Sequence, residues 1–321
     1  MTAPGDVIPR FDRPSVFARL PGSFNGVPEP VFAEIFSIIA PVFLCAGVGL
    51  AWAKKGLPYE TEFVTRLVTN IGFPCLIFAT LIKVDLTPEA MGEMGFASLA
   101  TVVVFAAIAA PVLKLFKLEL RAFLPSMMFA NTGNMGLPII LFAFGDKGLA
   151  LGIAYFAVNA VLLFVIGPPI AAGTAKPSEV LKAPLVWSVL AALAVMFWGL
   201  SVPGWLFRTV ELLGGFAIPL MLITLGVSLA GLQARSLPRS FGLSALRLGM
   251  GFLVGVGSAE ILGFEGVARG VLIIECAMPV AVFNYLYAQL HGNNPEEVAG
   301  TVLVSTGLSF LSLPALLWFV L

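Results

Sequence analysis

Apolar residues along this chain run in blocks of about 20, each closed by a short polar or charged break, and an α-helix needs a block of that length to cross a bilayer core. The blocks predict helices over 32–53, 62–82, 93–113, 121–144, 148–172, 183–201, 209–232, 241–263, 267–290 and 297–320. The breaks carry turn and charge signals, such as "KKGLPYETE" after the first block, "KLFKLELR" after the third and "HGNNPEE" after the ninth. None is longer than about a dozen residues, which leaves no room for a soluble catalytic domain. The pattern predicts an all-α integral membrane protein with ten transmembrane helices.

The two halves echo each other. Spans 2 and 7 carry Pro74 and Pro219 in mid-span, and spans 4 and 9 carry Pro138 and Pro279 near their centres. Five crossings per half is an odd number, so the second half enters the membrane inverted. Matched interrupted helices in inverted repeats point to a secondary transporter with its site near the midplane, whereas a lone proline would be no more than a kink. The predicted organisation is a flexible N-terminal tail (1–31), a first five-helix repeat (32–172), a short cytoplasmic linker (173–182) and a second repeat (183–321).

Composition agrees: of 321 residues, 59% are hydrophobic and 11% charged, against roughly 25% charged in soluble chains. Lys+Arg and Asp+Glu are balanced at 18 each, which removes a basic surface for nucleic acid. Cys45, Cys75 and Cys276 have no paired spacing and the single histidine, His291, lies in a loop, so neither a disulfide framework nor a zinc site is expected. There is no phosphate-binding GxxxxGK[ST] run, and no Ser/His, paired Asp or metal-ligand cluster lies within the spans. An enzyme is therefore not expected, nor any cofactor. The tail lacks the compact apolar run of a secretory signal, so the first block reads as a retained helix.

Lys54, Lys55, Lys114, Lys117, Arg121, Lys176, Lys182, Arg235 and Arg239 follow odd-numbered spans, against Lys83, Lys147, Arg208 and Arg269 after even-numbered ones. The positive-inside rule puts the first set in the cytoplasm and both termini in the periplasm of a bacterial inner membrane. Arg10, Arg13 and Arg19 in the tail narrow the contrast to nine against seven.

Pro138 and Pro279 each remove a backbone donor, so helices 4 and 9 are expected to break there, and unwound backbone survives in a membrane only where protein or a polar cavity covers it. Asn131, Thr132, Gly133, Asn134 and Gly136 surround the first break; Glu275, Met278 and Asn284 surround the second. Asparagine amides can donate to a carboxylate without carrying charge, and the half-helix N-termini after each break offer free N–H groups to an anion. Glu275 is the only acidic residue deep within a span. It reads as a proton or sodium site, as a group holding the crossing of the two broken helices in place, or as a neutral carboxyl hydrogen-bonded to unwound backbone. Arg66 and Arg247 read as side chains snorkelling to the interface, with binding of the substrate anion as the alternative, and Asn70 and Asn159 as interhelical hydrogen-bonding groups. "FGDKG" reads as a tight turn between spans 4 and 5.

The ordered motifs "IIAPVFLCAGVGLAWAKKGL", "FPCLIFATL", "NTGNMGLP", "IPLMLITLGVSLA" and "AMPVAVFNYLYAQLHG" followed by "STGLSFLSLP" closely resemble the auxin efflux carrier family, which includes plant auxin carriers and bacterial malonate-type carriers. The resemblance runs from about Ile35 to the C-terminus. It implies two inverted five-helix repeats with broken crossover helices 4 and 9 and an elevator-type movement. Helices 1, 2, 6 and 7 would form a scaffold domain, with a homodimer interface, and helices 3–5 and 8–10 a transport domain. It also implies that Asn131 matches the position binding the substrate carboxylate in plant carriers, and that Pro138, Pro279 and Val280 belong to the crossover. The chain departs at Val280, Ala281 and Asn284, where the plant carriers have Gln, Gly and a proline, and in its short central linker. "ECAMP" is more distantly similar to a sodium-binding stretch of bile-acid sodium symporters, which makes Glu275, Cys276 and Met278 candidates for a coupling ion.

These readings predict a carrier that exports a small organic anion such as a carboxylate, partnered by the lipid bilayer and a second copy of itself. The alternatives are a sodium-coupled importer and a ligand sensor that does not transport.

Overall fold

The computed structural model describes residues 31–84, 87–172, 184–198, 200–232 and 236–321. Residues 1–30 of the expected tail, the expected linker 173–182, and Arg10, Arg13, Arg19, Lys176, Lys182 and Arg235 of the charge comparison lie outside the described residues.

The described chain is helical: α1 Val31–Lys54, α2 Thr61–Leu67, α3 Phe73–Lys83, α4 Pro88–Leu115, α5 Leu120–Met128, α6 Leu137–Ala172, α7 Pro184–Trp198, α8 Gly204–Gly215, α9 Ala217–Gly231, α10 Leu237–Leu262, α11 Gly266–Ala277, α12 Val282–His291 and α13 Pro295–Val320. A π-helical turn, Val68–Gly72, joins α2 to α3, and a second, Thr132–Gly136, leads into α6. Among the described residues there is no strand, only an isolated antiparallel bridge between Ala130 and Val280.

Seven of these helical stretches are long and apolar enough to cross a membrane. One, Thr132–Ala171, has 40 residues, which at 1.5 Å per residue is about twice the hydrocarbon thickness. It bends at Gly145, whose φ of 65° and ψ of −157° are not helical and whose missing Cβ permits that backbone. This is the "FGDKG" turn.

Packing separates two groups of helices. In the first, α1 lies along α9, and α3 crosses α7 and α8. The approach is backbone to backbone: a Cβ on Gly49 would collide with the Ile223 carbonyl, and one on Gly226 with the Ala46 carbonyl. In the second group α4 packs on α5 and α6, α11 packs on α6 and α10, and α13 packs on α10 and α12. Most of the largest fully buried side chains, including Phe105, Phe123, Phe129, Met135 and Tyr155, belong to this second group, while Ile77 and Leu81 of α3 belong to the first. Large apolar side chains such as Phe36, Leu44, Leu253 and Leu311 are exposed, as a lipid-facing surface requires.

Candidate functional site

Two helices stop inside the second group. The chain leaves α5 in extended form at Phe129, with φ −109° and ψ 109°, and leaves α11 in extended form at Met278, with φ −63° and ψ 150°. The unwound stretches satisfy each other. Asn131 N–H donates to the Pro279 carbonyl at 2.7 Å and Ala281 N–H to the Phe129 carbonyl at 3.2 Å. Asn284 Nδ2 donates to the same Phe129 carbonyl at 3.0 Å, and Val280 N–H donates to Ser305 Oγ at 3.2 Å. These stretches are buried, and buried backbone groups find no water to replace a helical partner, so the pairing is what allows both helices to open.

The second break holds Pro279, as expected, but the first does not lie at Pro138. It falls at Phe129–Asn131, and Pro138 is the second residue of α6. A proline in the first turn of a helix removes an N–H that would have been orphaned anyway, so Pro138 starts the new helix rather than breaking the old one. Between them, the Asn131 carbonyl accepts from Met135 N–H at 3.3 Å and Gly136 N–H at 3.1 Å, the wide hydrogen bonding that makes the π turn.

A cavity of about 50 Å³ lies against the first break, lined by Asn131, Thr132, Gly133, Asn134, Asn159 and Phe156. A larger one, about 340 Å³, shares Thr69, Phe73, Asn134 and Phe283 with it and reaches along α2 and α9 past Thr65, Thr224 and Ser228 to Thr61. Asn131 is 4% exposed and its Nδ2 has no hydrogen-bond partner. Among the described residues, neither cavity is lined by a charged side chain. The first turn of α12 borders the larger cavity through Val282 and Phe283, where the positive end of a helix dipole suits an anion.

Four expected site residues, Asn131, Thr132, Gly133 and Asn134, therefore meet at one cavity. Gly136, Pro138, Pro279, Val280 and Asn284 do not line it; Pro279, Val280 and Asn284 instead tie the two breaks together. Glu275, Cys276 and Met278 are all buried and away from both cavities. A Cβ on Gly136 would collide with the Glu275 carboxylate, and neither carboxylate oxygen has a hydrogen-bond partner. Cys276 Sγ lies 3.5 Å from the Tyr155 hydroxyl, which bonds Thr101 Oγ1 at 2.8 Å. Among the described residues no group of three His, Cys, Asp or Glu side chains gathers; Glu275 is a single buried carboxylate.

Arg247 does not snorkel. It is fully buried, its guanidinium stacks 4.6 Å from the centre of the Phe105 ring, and none of its nitrogens has a hydrogen-bond partner. The side chain emerges on the face of α10 that packs on α11, where Gly251 lets the main chain at Cys276 approach, so the route to the interface is closed by protein. Arg66 is exposed and paired with Glu62 at 2.5 Å. Asn70 is exposed rather than set between helices, and Asn159 is 2% exposed at the small cavity. The hydroxyls of Thr61, Thr65, Thr69, Thr224 and Ser228 are site features that the motif reading missed. Their spacing of four residues on each helix, which puts them on one face, was the available signal.

A family model described as "Membrane transport protein" matches residues 34–180 and 175–317. The chain belongs to this family, that of the auxin efflux carriers. An "Uncharacterized transporter" of Methanothermobacter thermautotrophicus is 27% identical over 285 residues, covering 81% of this chain and 89% of that protein. A protein of Rhizobium meliloti named "Putative malonate transporter" is 23% identical over 314 residues, covering 90% of this chain and 96% of its own length. A rice protein named "Probable auxin efflux carrier component 1b" is 24% identical over 123 residues, 37% of this chain and 21% of that one. Family membership makes this a membrane transporter and not an enzyme.

Proposed function

We propose that the chain is a secondary carrier that moves a small organic anion, such as a carboxylate, out of a bacterial cell across the inner membrane. The observation that carries this is the paired break: Asn131 N–H on the Pro279 carbonyl, with an unpartnered Asn131 amide at a cavity beside it. Such an amide can donate to a carboxylate, and unwound backbone beside a cavity is where inverted-repeat carriers hold substrate.

In this reading the chain crosses the membrane ten times. Three crossings pass through the paired breaks and the Gly145 turn: α5 with the π turn and α6 up to Phe144, the rest of α6, and α11 with α12. The helices packed around α1, α3 and α9 act as the scaffold and carry a homodimer contact; those around α4, α6, α11 and α13 move as the transport unit in an elevator-type cycle. Both termini face the periplasm. Thr132, Gly133 and Asn134 complete the site.

Glu275 is the coupling residue of this scheme. Its unpartnered carboxylate, fully buried against Gly136, can take up a proton or help to hold sodium. If sodium couples to the substrate, it must shift substrate affinity, so binding measured with and without sodium separates the two modes.

Flux of carboxylates in proteoliposomes tests the assignment. Asn131→Ala should lower flux at least about tenfold, the loss expected for an amide–carboxylate hydrogen bond of 1.5–3 kcal/mol, with the protein still monodisperse. Unchanged flux would remove Asn131 from the site.

A further inference from the structure

The two cavities meet at Asn134 and Thr69, and their lining says more about the passenger than the break does. Thr61, Thr65 and Thr69 succeed each other along α2 and its π turn, and Thr224 and Ser228 along α9, all five bordering the larger cavity. At 1.5 Å per residue, Thr61 to Thr69 spans about 12 Å, enough to lead from the start of α2 to the break. Thr224 Oγ1 is held at 2.7 Å by the Tyr59 hydroxyl, which anchors one rung. Between the rungs the walls are apolar, built by Phe73, Met221, Leu225, Val282 and Leu286.

Accepting the carrier reading on which this rests, we infer that the hydroxyl ladder and Asn131 select a singly charged carboxylate carrying an apolar body, and reject dianions. A hydroxyl or amide donor can stabilise one carboxylate, and the unpartnered Asn131 Nδ2 is such a donor. The desolvation cost of an ion rises with the square of its charge, so a dianion of similar size loses about four times as much on leaving water. Among the described residues no lysine, arginine or histidine lines either cavity to repay it. The neutral hydroxyls bring no charge to balance a second carboxylate, and the apolar walls between them offer contact to a hydrocarbon group. This sets the chain apart from its Rhizobium relative, whose name refers to malonate.

Binding to the purified full-length chain, followed by competition for flux in proteoliposomes, tests this with three probes. Isovalerate has one charge and an apolar body; malonate, above both of its carboxyl pKa values, has two charges; monomethyl malonate keeps the malonate skeleton with one. Isovalerate and the half-ester should bind at least about tenfold tighter than malonate, and Ser228→Lys or Thr65→Lys should narrow that gap by about tenfold. Thr69→Val should weaken the singly charged probes without lowering the unfolding temperature. Malonate bound as tightly as isovalerate by the unaltered protein, and weakened by Asn131→Ala, overturns the selectivity while leaving the carrier standing. Should none of the three bind or move, the carrier reading itself falls, and this inference with it.

Discussion

The N–H of Asn131 reaches the carbonyl of Pro279 across 2.7 Å, so two helices broken far apart in sequence share one main-chain patch. That patch leans on a third group, the amide of Asn284, which donates to the Phe129 carbonyl. Asn131 and Asn284 are equally hidden, 4% and 2% exposed, yet only Asn284 spends its amide nitrogen on the fold. Asn284→Ala should therefore lower stability by about 1–2 kcal/mol, the range for a buried hydrogen bond inside a membrane protein. Asn131→Ala should leave it unchanged, because its main-chain bonds survive. Thermal unfolding in detergent compares the two; equal shifts would mean that both amides are structural.

Gly136 and Glu275 are in contact across the same patch. A methyl at Gly136 would have to displace the Glu275 carboxylate, which is fully buried and has little room to move. Gly136→Ala should cost about 1–3 kcal/mol, the usual penalty of overpacking. Shortening the neighbour makes room, so Gly136→Ala combined with Glu275→Ala should be more stable than Gly136→Ala alone. If the second change only adds to the loss, the clash lies elsewhere.

How much of this could be read in advance follows from what each feature depends on. Span positions depend on local hydropathy, and α1, α4, α10 and α13 lie where apolar blocks 1, 3, 8 and 10 predict them, within about five residues at each end. Gly145 of the "FGDKG" turn and the asparagines beside the first break also announce themselves locally. The place of that break does not, because it depends on pairing with residues far along the chain; Pro138 drew attention to the wrong end of the π turn. Arg247 failed for the same reason. Distance from a helix end suggested an interface, and only the packing of α4, α10 and α11 shows a closed pocket. The threonines of α2 and serine of α9 gain meaning only once the two helices face one cavity.

Arg247 carries a further expectation. A buried guanidinium that stacks on the Phe105 ring and has no hydrogen-bond partner gains about 0.5–2 kcal/mol from that stacking, less than the several kcal/mol that desolvating a charge costs. Methionine has a comparable length and no charge. Arg247→Met should therefore unfold at the same temperature as the unaltered chain or a higher one. A fall of several degrees would show that the guanidinium is bonded to the main chain at the end of α11.

Among the described glycines, those where α1 meets α9 leave the least room for a new side chain, and what would meet it is backbone. At Gly136 the obstacle is the end of a side chain; at Gly226 and Gly49 it is the carbonyls of Ala46 and Ile223, flanked by the main chain of a neighbouring helix. Small residues at such crossings are what bring membrane helices together, since lipid supplies no hydrophobic force to do so. Gly226→Val must push the two helices apart along their length, and the lost packing should exceed about 3 kcal/mol, above the usual range for a point substitution. Gly47, on the same helix as Gly49, has open space where a Cβ would stand, and Gly47→Ala should be neutral or slightly stabilising through helix propensity. Detergent unfolding of the two variants side by side checks the claim: similar midpoints would mean that α1 and α9 do not meet at Gly226.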